Sequence, residues 1–175
     1  MRVLLVTGDH PRSNMGGAEY QTLLIARGLA ARGHEVRFLG VNASEEDAFD
    51  DAGVGVRRLR GWRASGVDRH RERVRDAVEA FGPQVTYTRS FDELSIMVPI
   101  SGEMGVPAIS VSCHVRETSP LLRSRLPREV LMHWRGFRAI GQSAMHVCNT
   151  EDLATRIRRR YPRHPVTAIY NSSPA

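Results

Sequence analysis

Short apolar runs alternate with longer amphipathic segments along most of the 175 residues. Seven of these runs have the length and composition of strands, at residues 3–7, 35–40, 54–59, 84–88, 107–112, 144–148 and 166–170. Strands that alternate with helical segments are typical of repeated βαβ units, which build a parallel sheet. We therefore predict an α/β fold: a Rossmann-like, doubly wound, mainly parallel sheet of about seven strands, with helices on both faces.

The amphipathic segments predict the helices between these strands. The first helix begins after the glycine pair at 16–17, and the stripe expected to pack on the sheet holds Ala18, Leu24, Ile25, Gly28 and Leu29. The second begins at Asp68 and is expected to bury Val74, Ala77, Val78 and Phe81. Further helices are predicted at 91–102, at 120–141 with an interruption near 126–127, and at 151–160 with Thr150 as its cap.

Length and composition indicate one domain, at residues 1–170, followed by the start of a linker at 171–175. The 41% hydrophobic content is ordinary, and no apolar run approaches the ~20 residues of a membrane span. Because the first residues lead directly into a strand, no signal peptide is predicted, and a cytoplasmic location is expected. The two cysteines, Cys113 and Cys148, are expected to be reduced and buried.

The net charge of +6 raises the question of an anionic partner. All 25 basic residues are arginine and none is lysine, which indicates codon bias rather than phosphate binding, so a nucleic-acid partner is not predicted. Arginines are dense between Arg57 and Arg75, around Trp62. That stretch could contact an anionic surface, either lipid headgroups at the inner face of a membrane or an acidic acceptor, or it could be a solvated loop and helix face.

The glycine pair Gly16–Gly17 opens the first helix and is the first candidate site. A helix N-terminus presents unpaired N–H groups, and glycine allows an anion to approach them closely. The alternative is that the glycines serve a tight turn or close packing. A dinucleotide fingerprint is disfavoured because the pair lies too far beyond Gly8, and a P-loop is excluded because the chain has no lysine.

Further candidates follow the other strands, because ligands of open parallel sheets bind beyond the carboxyl ends of the strands. They are Arg89, His114, Asn149 and Thr150. His114 could contact a sugar hydroxyl or could simply close the edge of the sheet. The histidines and cysteines lack the spacing of paired metal ligands, so no metal site is predicted.

Taken together, the motifs resemble the N-terminal domain of the family 4 glycosyltransferases, which are retaining enzymes of the GT-B fold. The resemblance rests on GGAE at 16–19, LAARGHEV at 29–36, the strand before His114, VCNT at 147–150 and IYN at 169–171. It implies that Gly16 and Gly17 lie near the diphosphate of a nucleotide-sugar donor and that His114 lies beside the transferred sugar. It also implies that Arg89, Asn149 and Thr150 line the cleft, and that no metal or other cofactor is needed.

The resemblance covers only the acceptor-side half of such an enzyme. Its second domain, which holds most donor contacts, is expected in cis or in trans, and residues 1–175 alone are expected to be inactive because one helix N-terminus is a small part of the required electrostatic site. The function implied is transfer of a sugar from a nucleotide-diphosphate sugar to a hydroxyl acceptor. The alternative is a noncatalytic Rossmann-like binding or scaffolding module that needs a partner chain.

Overall fold

The computed structural model describes residues 1–12, 16–61, 66–112 and 127–170. The strands are β1 (Arg2–Thr7), β2 (Glu35–Ala43), β3 (Asp47–Asp51), β4 (Val54–Arg60), β5 (Val85–Arg89), β6 (Ala108–Ser112), β7 (Met145–Cys148) and β8 (Val166–Ala168). The helices are α1 (Gly17–Ala30), α2 (Val67–Phe81), α3 (Phe91–Glu103), α4 (Pro127–Gln142) and α5 (Glu151–Arg160). No helix in these ranges is long and apolar enough to cross a membrane.

The strands form one sheet in the order β3-β4-β2-β1-β5-β6-β7-β8. Every neighbouring pair is parallel except β3 and β4, which are antiparallel. The predicted Rossmann-like α/β fold is therefore confirmed, and all seven predicted strands are present. Because parallel strands end at a common edge, the segments that follow β1, β2, β5 and β7 are brought together there.

Strand β3 was missed by the sequence analysis. Its sequence, DAFDD, holds three aspartates, a residue type that is depleted in strands. Partner side chains stabilise it instead: Asp47 pairs with Arg58, Asp51 pairs with Arg27, and Asp51 also lies 3.1 Å from His10 Nε2. The strand therefore depends on tertiary ion pairs that a local pattern does not reveal.

Apolar residues pack on both faces of the sheet, as predicted. Helix α1 covers β1, β2 and β4 through a cluster that includes Leu5, Phe38 and Val56. Helices α2 and α3 cover the opposite face, where Leu4 and Val6 meet the α2 residues Val74, Ala77, Val78 and Phe81. These four α2 residues are the predicted ones. Helices α3, α4 and α5 form a further cluster on that same side, over β6 and β7.

The apolar stripe predicted for α1 is wrong. The helix buries Thr22, Leu23 and Ala26 against the sheet, whereas Leu24 and Ile25 are exposed. Of the rest of the predicted stripe, Leu29 is partly buried and packs against the core cluster, as predicted, whereas Ala18 and Gly28 are only partly buried. Apolar residues surround this helix on more than one side, so periodicity alone could not select the buried face. The exposed pair borders a groove on the sheet, described below.

The helix ends agree better with the predictions. Gly33, predicted to stop the chain after α1 in a left-handed conformation, has φ of 82°. The Thr150 side chain accepts a hydrogen bond from the Leu153 amide at 3.3 Å and caps α5, as predicted. Helix α4 begins at Pro127, where an interruption was predicted, and the earlier part of that predicted helix, 120–126, lies outside the described residues. Cys148 is free and fully buried, as expected, whereas Cys113 lies outside the described residues.

Candidate functional site

The turn after β1 is held by a buried ion pair. Asp9 Oδ1 accepts hydrogen bonds from the His10 amide at 2.7 Å and from Arg58 Nε at 2.8 Å. Arg58 Nη1 also donates to Asp47 of β3 at 3.0 Å, and only 3% of Arg58 is exposed. The bond to Asp9 raises the pKa of Arg58, so the guanidinium stays charged. Arg58 of β4, bonded to Asp47 of β3, therefore holds Asp9 in place just after β1.

His10 reinforces the same turn. Its Nε2 lies 3.1 Å from Asp51, and its ring packs edge-on against Phe38 and Phe49. Its Nδ1 accepts a hydrogen bond from the Arg12 amide at 3.1 Å. Burial lowers the pKa of His10. The ring therefore contacts the turn through the Arg12 amide and lies beside β3 at Asp51.

The two glycines at the start of α1 differ in what surrounds them. Gly16 is the N-cap with φ of −66°, and a Cβ there would lie 2.1 Å from a carboxylate oxygen of Glu19, so the glycine makes room for that side chain. A Cβ on Gly17 would meet no described atom within 4 Å. Neither glycine has a positive φ. Packing therefore accounts for Gly16 but not for Gly17, where the backbone is open to a ligand.

A buried carboxyl group, that of Glu93, lies next to Gly8, the first residue after β1. Only 4% of Glu93, in the first turn of α3, is exposed, and its Oε1 accepts a hydrogen bond from Asn42 Nδ2 at 2.8 Å. Burial raises the pKa of Glu93 to about 7, and the carboxylates of Asp92 and Glu19 contribute to the increase. Neither Glu93 nor Asn42 was among the predicted site residues. The signal that could have found Glu93 is a carboxylate followed at once by the apolar run LSIMVPI.

A groove of about 550 Å³ runs along the sheet beside α1. Its lining includes Gln21, Leu24 and Ile25 of α1 together with Arg89 and Asn149, at the ends of β5 and β7. Arg89 is buried and donates a hydrogen bond to Gln21 Oε1. Two of the predicted site residues, Arg89 and Asn149, therefore line the same groove, together with Gln21, Leu24 and Ile25 of α1.

Thr150 does not line this groove. The Thr150 hydroxyl is used as the cap of α5. His114 lies outside the described residues, as do Asn171 and residues 13–15. The structure therefore leaves the role of His114 as a prediction.

Four of the eight arginines between Arg57 and Arg75 make ion pairs within the described part of the chain. Besides Arg58, Arg71 and Arg75 both pair with Glu103, and Arg73 pairs with Glu46. Such half-exposed pairs are typical of a solvated helix face. These pairs favour a solvated face of α2 over contact with an anionic surface. Trp62 and Arg63 lie outside the described residues.

A histidine and a serine also meet in the interior, away from the edge of the sheet. Ser110 Oγ of β6 lies 2.6 Å from His146 Nδ1 of β7, and both residues are fully buried. Burial lowers the pKa of His146 to about 3, so the ring is neutral at physiological pH. Because no substrate reaches a fully buried hydroxyl, this pair is part of the core.

The fold is similar to that of several solved glycosyltransferases. Sucrose-phosphate synthase from Thermosynechococcus elongatus matches 99% of this chain with a TM-score of 0.71 and 10% identity. HepE from Anabaena, solved in complex with UDP-glucose, matches 99% with a TM-score of 0.64 and 16% identity. UGT2 from Phytolacca americana, complexed with UDP-2fluoro-glucose and pterostilbene, matches 97% with a TM-score of 0.68 and 10% identity. The chain spans 48%, 44% and 53% of these proteins, respectively, or about half of each.

The sequence gives a more specific assignment than the structural similarity. No curated protein sequence matches the chain significantly. However, the model of Glycosyltransferase Family 4 matches residues 15–172, which begin just before the glycine pair and include every candidate site residue. The match covers most of the 175 residues. The chain belongs to glycosyltransferase family 4 and has the fold of its N-terminal domain.

Proposed function

We propose that this chain is the N-terminal, acceptor-side half of a retaining glycosyltransferase, which transfers a sugar from a nucleotide-diphosphate sugar to a hydroxyl acceptor. The observation that carries the proposal is the family match over residues 15–172, which includes both glycines. Complexes of HepE with UDP-glucose and with UDP support a nucleotide-sugar donor. Since the chain spans about half of the solved relatives, we propose that a second domain, in cis or in trans, supplies the remaining donor contacts.

The N-terminus of α1 is the part of this chain suited to the donor diphosphate. The first amides of a helix have no partner within the helix, and the helix dipole places partial positive charge there. Gly17 leaves the backbone open at that point. When the donor bond breaks, negative charge grows on the leaving diphosphate, and donors fixed in advance stabilise that charge. The proposed role of the Gly17 amide is to supply one such donor.

The groove beside α1 is the part suited to hydroxyl groups. Gln21, Arg89 and Asn149 provide polar groups along a wall that is otherwise apolar, which is the usual composition of a small-molecule site. We place the acceptor or the transferred sugar there, with His114 beside the sugar as the family resemblance implies. The proposal includes no metal or cofactor.

Release of nucleoside diphosphate tests the proposed function. The full gene product, with any chain that co-purifies with it, is incubated with UDP-, ADP- and GDP-sugars and an acceptor extract. We expect sugar transfer with at least one donor, and no appreciable turnover by residues 1–175 alone, because most of the electrostatic site is then absent. Robust turnover by residues 1–175 would contradict the division into halves. No transfer by the full product would favour a noncatalytic binding module.

A further inference from the structure

Glu93 connects three elements at the edge of the sheet where the site lies. Its Oε1 accepts the hydrogen bond from Asn42 Nδ2, which brings the first turn of α3 to the end of β2. The same oxygen lies 3.3 Å from the position that a Cβ would occupy on Gly8. The Glu93 carboxyl group therefore packs directly against the backbone that leaves β1.

Asn42 closes this arrangement. Its backbone amide donates to the carbonyl oxygen of Gly8 at 2.6 Å, while its side chain donates to Glu93. Glu19, whose carboxylate lies over Gly16, approaches Gly8 from α1, with an oxygen 3.8 Å from the same Cβ position. Gly8 is therefore held between α3 and α1.

This arrangement is costly for the fold. A carboxylate loses most of its hydration when it is buried, and Asp92 and Glu19 add like charge around Glu93. A neutral side chain of similar size would avoid this cost. Ionisable groups placed unfavourably beside a cleft are candidates for a functional role.

We propose that Glu93 is a positioning residue: its carboxyl oxygen holds Asn42 and Gly8 against Glu19 at the start of α1, so that the Gly17 backbone is presented to the donor. The inference rests on the proposed function, because the donor is what the turn would meet. Glu93 itself touches no reacting atom in this account. What it contributes is a hydrogen-bond acceptor rather than a negative charge, and a neutral acceptor of the same shape should replace it.

Two substitutions in the full gene product separate the acceptor from the charge. Glu93→Gln keeps an acceptor oxygen, whereas Glu93→Met keeps the approximate volume without one. We expect Glu93→Met to raise KM for the nucleotide sugar about 10-fold, because the Asn42 side chain loses its acceptor and the site loses a fixed support, and Glu93→Gln to stay near wild type. Glu79→Gln, at an exposed position on α2, is the matched control for the charge change.

The pH dependence of stability checks that both substitutions act at a buried carboxyl group. In the unfolded chain Glu93 releases its proton near pH 4.5, but in the folded chain only near pH 7. Between these values the folded state holds more protons, so its stability falls as the pH rises. We expect this decrease to be smaller in both Glu93 variants and unchanged in Glu79→Gln.

Amide hydrogen exchange decides the inference even if the full product transfers no sugar. We expect faster exchange in peptides covering residues 8–12 and 16–20 for Glu93→Met, but not for Glu93→Gln or Glu79→Gln. If Glu93→Met does not fold, Asn42→Ala removes the same bond from its donor side and is expected to show the same changes. Unchanged exchange in these peptides, or equal effects of Glu93→Gln and Glu93→Met, would overturn the inference. An inactive wild type would instead overturn the proposed function.

Discussion

Replacement of Arg58 by methionine is expected to lower the free energy of unfolding by about 3–5 kcal/mol, the range found when one partner of a buried ion pair is removed. Arg58 is 3% exposed and holds both Asp9 and Asp47. Without the guanidinium, the Asp9 carboxylate, which is 11% exposed, keeps the hydrogen bond from the His10 amide but loses the one from Arg58 Nε. The loss should appear in urea unfolding at pH 7 as a lower midpoint with little change in slope.

Arg75→Met is the matched control for that experiment. Arg75 also pairs with a carboxylate, Glu103, but about 40% of each side chain is exposed. Pairs of this kind contribute between zero and about 1 kcal/mol. If Arg58→Met cost no more than Arg75→Met, the turn after β1 would not depend on the buried pair, and our account of how β3 fixes that turn would be wrong.

Replacement of Gly17 by alanine is expected to lower kcat/KM for the nucleotide sugar on the order of 100-fold in the full gene product, the loss that a displacement of about 1 Å can cause in a catalytic site. The added methyl group would occupy the space in front of the α1 amides, where the diphosphate is proposed to approach. The fold should be unaffected, because Gly17 has no positive φ and its Cβ would meet no described atom within 4 Å.

Gly102→Ala provides the comparison. Gly102 also lies in a helix, has no positive φ, and has no described atom within 4 Å of its Cβ position, but it is at the far end of α3. Both variants should unfold within about 1 kcal/mol of wild type, since alanine is the better helix former. A Gly17→Ala enzyme with the kinetics of wild type would show that the opening at Gly17 is not used by the donor.

The sheet could be predicted because its parallel strands are continuous apolar runs, and the helices between them have apolar stripes. Strand β3 was missed and the predicted buried face of α1 was wrong, because there the local sequence pattern and the tertiary contacts disagree. Strand β3 has the composition of a loop and is stabilised by Arg58, His10 and Arg27. In α1, Leu24 and Ile25 are as apolar as Leu23, and only the packing on the sheet shows which of them are buried.

The residues proposed for the site could be named from the sequence, whereas the contacts around them could not. The glycine pair and the residues after the strands could be named because the carboxyl ends of parallel strands meet at one edge. The link between Asn42 and Glu93 could not, because the two residues are 51 positions apart and neither belongs to a motif. The different surroundings of Gly16 and Gly17 also depend on where the Glu19 side chain lies, which no spacing rule specifies.

The anomeric configuration of the product tests whether this chain is half of a retaining glycosyltransferase. It is measured by proton NMR on the reaction of the full gene product with its nucleotide sugar. A retaining glycosyltransferase with this chain as its N-terminal half should form a glycosidic bond with the same configuration as the donor. A product of inverted configuration, or release of the nucleoside diphosphate without any glycosidic product, would contradict the account.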